Sequence, residues 1–263
     1  MPAGRPGRRA GSSRRSPPTR SACTSKSATG DDARVGAADR ATGRALWAVA
    51  TPPLRAIVPA GDVVITTNQN QFVPRLTARD ARTGAERWSL SQASRSAPVV
   101  AGDRLFIIAE GMTLVARELD VGTGRERWRD ADGDTARLEV DGGTLYLQYG
   151  TQLRALDLAT KQRRWSAPCA GQLGVGGGLA VCAGAKVTAL RADTGAIVWQ
   201  LDLPDLAWFT PAVADGIVAV RTKAGRMLAI DAASGKLLWQ LDLKGGGAVS
   251  NTGGQLLVFT GHG

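Results

Sequence analysis

The stretch AIDAASGKLLWQLDL, residues 229–243, ends a phrase at Trp239 that has already occurred five times in the chain. The earlier copies close at Trp47 (AADRATGRALW), Trp88 (ARDARTGAERW), Trp128 (RELDVGTGRERW), Trp165 (ALDLATKQRRW) and Trp199 (ALRADTGAIVW), with successive tryptophans 41, 40, 37, 34 and 40 residues apart. The shared grammar is an apolar residue, a carboxylate, two variable residues, Thr or Ser, Gly, three variable residues and Trp. Self-similarity at that period marks a repeat architecture, in which no unit buries its apolar face alone.

Residues 95–130 show what one unit is. APVV and RLFIIA are β-rich runs separated by the turn signal AGD; TLVAREL follows EGM, and RERWRD follows DVGTG. Four short runs joined by tight turns, with no i, i+3, i+4 apolar spacing, predict an up-and-down antiparallel sheet. Four other stretches parse in the same way, making five complete sheets. Before the first lies RVGAADRATGRALWAVAT, with only the third and fourth strands of a unit, and after the last lies GAVSNTGGQLLVFTGHG, with only the first and second. Four-stranded sheets arranged radially form a β-propeller, here of about six blades. Joining the two half-units in one sheet would close the ring; left apart, they would leave it open or incomplete.

The phrase itself has a physical reading. Gly43, Gly84, Gly124, Gly195 and Gly235 suit a turn position with positive φ. The preceding Asp and Thr side chains can bond the turn's own amides, so Asp39, Asp80, Asp120, Asp157 and Asp231 read as turn formers. On the fourth strand Trp239, Leu241 and Leu243 alternate with Gln240 and Asp242, as Trp199, Leu201 and Leu203 do one repeat earlier. One Trp per blade is therefore expected to face the neighbouring blade. Lys161 stands in the Gly position of the fourth phrase and Arg191 in the Asp position of the fifth, so those two turns are expected to be the loosest.

Charge is concentrated at one end. The 263 residues carry a formal +10, but residues 1–30 hold seven basic groups and no acid. The rest has 26 basic against 23 acidic groups, a net +3. Residues 1–34 read as a disordered basic tail and 35–263 as the propeller. Arg and Lys scattered through turns do not form a phosphate-tracking groove, so no nucleic-acid partner is expected. SRR at 13–15 has no apolar run behind it to act as a signal peptide, and no stretch approaches the ~18 apolar residues of a membrane span. Cys23, Cys169 and Cys182 have no metal spacing; the last two flank AGQLGVGGGLAV and can face each other across a hairpin, as a disulfide or as two buried thiols.

The six phrases resemble AxDxxTGxxxW, the tryptophan-docking motif of the PQQ-like propeller repeat found in quinoprotein dehydrogenases and the BamB family of outer-membrane assembly factors. The resemblance runs over about residues 35–263. It implies docking roles for Trp47, Trp88, Trp128, Trp165, Trp199 and Trp239, a periplasmic or extracellular place, and rings of commonly seven or eight blades, of which six repeats would be either a smaller ring or a fragment.

No catalytic, cofactor or metal set is legible. The resemblance to quinoproteins would imply an adjacent Cys pair, a carboxylate cation site and an Asp base; here the cysteines are apart and the Asp residues recur at turns. The sole histidine, His262, is next to the last residue, which is poor ground for a triad. What remains is recognition by loops. TTNQNQFVPR (66–75) is unusually long, and LPDLAWFTP (203–211) adds Trp208 and Phe209 outside the repeat pattern, as first-strand packing or as an aromatic contact for a partner. The expected function is a non-catalytic, monomeric scaffold without cofactor that binds a protein or peptide, in envelope protein assembly as the BamB resemblance implies or as an extracellular sensing module. The alternative is a PQQ-binding quinoprotein oxidoreductase.

Overall fold

The computed structural model describes residues 33–39, 41–68, 74–243, 249–252 and 255–258, the last two segments as backbone. Residues 1–32 of the expected basic tail, Cys23 and His262 lie outside these residues; Ala33 and Arg34, also assigned to the tail, are ordered instead, Ala33 buried and Arg34 opening the first strand. All regular structure among them is β. Strands β1 (Arg34–Ala38) and β2 (Ala45–Ala50) form a two-stranded sheet. Five four-stranded blades follow. The first is β3 (Leu54–Ala60), β4 (Val63–Asn68), β5 (Leu76–Asp80) and β6 (Glu86–Leu90); the second β7 (Val99–Ala101), β8 (Arg104–Ala109), β9 (Val115–Asp120) and β10 (Glu126–Arg129). The third is β11 (Arg137–Asp141), β12 (Thr144–Tyr149), β13 (Gln152–Asp157) and β14 (Arg163–Pro168); the fourth β15 (Gln172–Gly176), β16 (Leu179–Ala183), β17 (Lys186–Arg191) and β18 (Ile197–Asp202). The fifth is β19 (Ala212–Ala214), β20 (Ile217–Arg221), β21 (Arg226–Asp231) and β22 (Leu237–Asp242), after which β23 (Val249–Thr252) pairs only with β24 (Gln255–Val258).

Within each blade the strands pair antiparallel in chain order. The first strands also touch in series, β3 with β7, β7 with β11, β11 with β15, β15 with β19 and β19 with β23, so they line the hub and the fourth strands form the rim. This is the all-β propeller architecture that the period and turn chemistry predict. Short two-residue turns permit it: in the hairpin of the fourth blade Gly177 and Gly178 both have positive φ, 55° and 79°, which is the backbone a tight hairpin turn needs.

There is no single core. Buried side chains fall into four layers, each between two blades: Ile65 and Leu76 against Leu105 and Ile107; Phe106 and Ile108 against Leu145 and Leu147; Tyr146 and Leu153 against Leu173 and Leu190; Val181 and Val187 against Val218 and Leu228. Each sheet is thus apolar on both faces, and its stability depends on its neighbours. The two half-units do not merge: β1–β2 and β23–β24 remain separate two-stranded sheets. The ring is open between them among the described residues.

Candidate binding surface

The recurring phrase builds the joints between blades. Trp47, Trp88, Trp165 and Trp199 each stand opposite an alanine of the adjacent strand, Ala37, Ala78, Ala155 and Ala189. Each indole crosses to the next blade. Its Nε1 donates to the carbonyl just after the turn-opening residue there: Trp47 to Ala81 (2.9 Å), Trp88 to Val121 (2.8 Å), Trp165 to Ala192 (2.9 Å) and Trp199 to Ala232 (2.8 Å). The ring lies over the turn glycine. A Cβ placed on Gly84, Gly124, Gly195 or Gly235 would come within 2.6–2.8 Å of the indole. The glycine therefore answers two demands: a φ of 70–77° and a seat for a flat ring.

The turn aspartates are fully engaged by their own turns. Asp231 Oδ1 accepts from the Ser234 amide (2.8 Å) and hydroxyl (2.6 Å), and Asp80 and Asp157 accept similarly from Thr83 and Thr160. Their second oxygens meet an arginine placed just before the tryptophan: Arg87 for Asp80, Arg127 for Asp120 and Arg164 for Asp157. These bonds hold the carboxyls below the usual range, led by Arg87 for Asp80, by the Thr123 hydroxyl for Asp120 and by the Thr160 amide for Asp157. Acids held ionised in this way are structural counter-ions. The arginine pairing escaped the sequence reading, although Arg before Trp in three phrases was its visible sign.

Two expectations need correcting, and a third is met. Trp239, expected to dock like its counterparts, remains 43% exposed; the chain's remaining turn glycine, Gly43, is not beneath it, and a Cβ at Gly43 would meet nothing within 4 Å. The turn at Lys161 is not loosened: Lys161 adopts φ 61°, and Asp157 keeps all its turn bonds. At Arg191 the turn keeps its backbone bonds, Gly195 N to Arg191 O (2.8 Å) and Arg191 N to Ala196 O (2.8 Å), and Ala196 N to Thr194 Oγ1 (3.4 Å), but position 191 offers no carboxylate to accept from the turn amides.

Trp128 forms a different joint. Its cross-strand partner is Glu118 instead of alanine, and the turn it faces carries Lys161 instead of glycine. Glu118, 3% exposed, pairs with Lys161 Nζ and lies 3.7 Å from Arg104 Nε. Leu158 O, which by position would accept the indole N–H, accepts from Arg104 and Lys161. Lys161 Nζ sits 5.6 Å from the centroids of both Trp128 and Phe106. A cleft of about 380 Å³ opens beside this joint, lined in part by Asp130, Tyr149, Arg154 and Arg163.

The hub offers little for chemistry. A Cβ on Gly174 or Gly176 would lie 2.1 Å from Pro211 O or 2.2 Å from Val213 O, so the backbone of β15 is in direct contact with that of β19 and the residue before it. Cys169, just past β14 of the third blade, and Cys182, on β16 of the fourth, are both 1% exposed and disulfide-bonded, so the bridge ties two blades together; the hairpin partner of Cys182 is Leu173. Among the described residues no three His, Cys, Asp or Glu side chains gather to hold a metal. Glu139 on β11 is the unusual hub acid: burial lifts its pKa to about 7 against the partial relief of Arg137.

The aromatic loop lies at the propeller face where second strands pass to third and fourth strands to the next blade. Ala207 N donates to Gly184 O (2.9 Å), Trp208 N to Arg221 O (3.1 Å), and Lys223 N to Leu206 O (2.8 Å). Asp205 accepts from the Ala224 amide (3.2 Å). The segment is thus pinned on both sides while Leu206 and Trp208 stay 44% and 52% exposed. Lys223 Nζ stands 5.2 Å from the Trp208 ring, and the buried Arg221 covers Phe209 at 5.4 Å. Phe209 therefore anchors the ledge and Trp208 presents it. The β4–β5 connection leaves from this same face, but residues 69–73 lie outside the described set.

Comparison with known proteins agrees with this geometry. The family described as outer membrane protein assembly factor BamB matches residues 31–181 and 183–263. No curated protein matches the chain in sequence. Among solved structures, BamB from Moraxella catarrhalis is 18% identical with a TM-score of 0.58, over 86% of this chain and 85% of that one. The computationally designed Ika8 protein is 14% identical with a TM-score of 0.67, over 88% and 78%. The quinohemoprotein alcohol dehydrogenase ADHIIG from Pseudomonas putida HK5 is 12% identical with a TM-score of 0.52, over 88% and 67%. At these identities the likeness is one of fold.

No helix among the described residues is long and apolar enough to cross a membrane.

Proposed function

Since the chain belongs to the BamB family of outer membrane protein assembly factors, we propose that it is a non-catalytic scaffold of the cell envelope that binds a protein or peptide through its Trp208 face. One observation carries this reading: Leu206 and Trp208 are held by backbone bonds on both sides, yet remain about half exposed beside Lys223. A pre-ordered aromatic loses little entropy on binding, and tryptophan dominates interface hot spots. The ledge suits a partner segment with an apolar side chain followed by a carboxylate, the first on Trp208 and the second facing Lys223. The turn aspartates support a non-catalytic role, because each is committed to its own turn and, in three blades, to an arginine.

The test is retrieval of an envelope partner by the tagged chain and by its Trp208→Ala variant. Loss of at least about thirty-fold in affinity is expected for a hot-spot tryptophan; retrieval unchanged by Trp208→Ala would remove this surface from consideration. The quinoprotein alternative is checked by adding PQQ with calcium. A stoichiometric bound chromophore and dye-linked alcohol oxidation would overturn the scaffold reading.

A further inference from the structure

Comparable clefts open at three successive joints, each walled by the rim of one blade and by the third and fourth strands of the next. Between the β1–β2 pair and the first blade the cleft is about 210 Å³, with Thr51, Arg79 and Glu86 in its lining. Between the first and second blades it is about 280 Å³, with Gln92, Arg117 and Glu126. Between the second and third it widens to about 380 Å³, with Asp132, Arg154 and Arg163.

Glu86, Glu126 and Arg163 occupy one place in the repeat, two residues before Trp88, Trp128 and Trp165. In the first two clefts that place gives a carboxylate to a third-strand arginine: Glu86 lies 3.5 Å from Arg79, and Glu126 lies 3.6 Å from Arg117. The third cleft keeps the arginine, since Arg154 and Arg117 both stand opposite the residue that follows the tryptophan. Its fourth strand answers with a second cation.

The other charges of this cleft are already matched. Arg154 pairs with Asp132 and lies 4.4 Å over the Tyr149 ring. Asp130 accepts from the Tyr149 hydroxyl (2.7 Å) and from Thr135 Oγ1 (3.2 Å). Arg129 pairs with Glu126 (3.0 Å) and Lys161 with Glu118. Arg163 is exposed and has no hydrogen bond or ion pair among the described residues. The indole N–H of Trp128, which lines the same cleft, also lacks an acceptor, because Leu158 O is occupied by Arg104 and Lys161. Both lining acids have donors, whereas two lining donors have no acceptor. A molecule that completes the cleft must therefore bring acceptor atoms and negative charge.

We propose that the cleft between the second and third blades binds a small organic acid, whose carboxylate takes the place that Glu86 and Glu126 fill in the other two clefts. Arg163 is its counter-ion, because a guanidinium offers a carboxylate two parallel N–H bonds. The Trp128 N–H is a further donor, and Leu156 and the indole line the cleft for an apolar body. The occupant is small because about 380 Å³ is at the low end of small-molecule sites. The Trp208 ledge belongs to the connection between the fourth and fifth blades, so this site does not depend on it.

Titration of the isotope-labelled chain with butyrate at neutral pH, followed through its indole N–H resonances, tests the proposal. One resonance, identified by its absence from Trp128→Phe, should move and saturate, and calorimetry should give the same affinity without that assignment. Arg163→Glu recreates the internally paired arrangement of the other clefts and should weaken binding about ten-fold or more. Arg163→Lys keeps the charge and should weaken it less. Arg163 is exposed, so both variants retain the fold. Trp208→Ala should bind butyrate as the wild type does, which separates failure here from failure of the partner-binding reading. Butyrate that does not bind saturably, or that binds Arg163→Glu unchanged, overturns the proposal. Inorganic phosphate binding as tightly as butyrate would make this a site for any anion and overturn the carboxylate assignment. A capped peptide with a single Glu that binds where butyrate does not would place the carboxylate on a protein partner and overturn the small acid.

Discussion

The joint at Trp199 and the joint at Trp128 perform the same task with different physics. At Trp199 the surroundings are Ala189 across the strand and Gly235 beneath the ring, and the indole N–H reaches Ala232 O at 2.8 Å. At Trp128 the alanine has become Glu118 and the glycine Lys161, two residues 43 positions apart in sequence that meet as an ion pair across two blades. Neither departure makes sense alone. A buried Glu118 without Lys161 would be left with Arg104 alone, 3.7 Å away, as counter-ion, and Lys161 over an alanine would displace the ring with no counter-ion. Together they replace shape complementarity by charge complementarity, with Arg104 as a second cation and two aromatic rings around the ammonium. A repeat protein can accept such a change in one layer because each layer answers chiefly to its two blades.

This difference can be broken from either side. Trp199→Ala should cost about 3–5 kcal/mol in urea-induced unfolding, since it removes a buried ring from a tight seat. Trp128→Ala should cost less, roughly 2 kcal/mol, because that indole is only partly buried and has no N–H partner among the described groups. Equal losses would mean that the two joints do not differ in kind.

Glu118→Ala should cost about 3 kcal/mol by stranding Lys161. Adding Lys161→Gly should return stability to within about 1 kcal/mol of the wild type, since the pair then reproduces the Ala and Gly of an ordinary joint. A double variant as unstable as the sum of its parts would show that the two residues are not coupled.

Gly235→Ala should cost roughly 2 kcal/mol, combining a positive φ with a Cβ forced against Trp199. Gly43→Ala has a similar φ penalty but no ring among the described residues to displace, so its smaller loss isolates the value of the seat.

The smallest effects are those of pH. Asp80 and Asp120 are held below their ordinary value of 3.8. Their contribution is complete above that pH and is lost as pH falls below it toward the folded-state value. Glu139 acts in the opposite sense. Raised from 4.5 to about 7, it keeps its proton in the folded protein where the unfolded chain has lost it, so stability declines as pH rises between those values. Glu139→Gln should flatten that second slope and leave the acid limb intact, as read from unfolding midpoints between pH 2 and 8.

Much of this was legible from residue order. A period set by Trp and Gly, runs of β-rich residues between turn signals, and two complementary half-units lead directly to a propeller, because strand alternation and turn chemistry are local. Trp208 and Phe209 stood out since they broke the pattern, but only the backbone bonds around them separate the presented ring from the anchored one. The Arg87, Arg127 and Arg164 pairs needed a cross-strand register before an arginine seven residues from an aspartate became its neighbour.

What the sequence alone determined is the blade and its count: five sheets with a half at each end follow from spacing, since each turn and strand is decided within a few residues. Only the tertiary structure decided which tryptophans are docked, why the turn glycine must also lack a side chain, and that Glu118 and Lys161 are one feature. Those depend on which surfaces of separate blades come within contact distance, and short-range forces between residues far apart in the chain leave no periodic mark in its order.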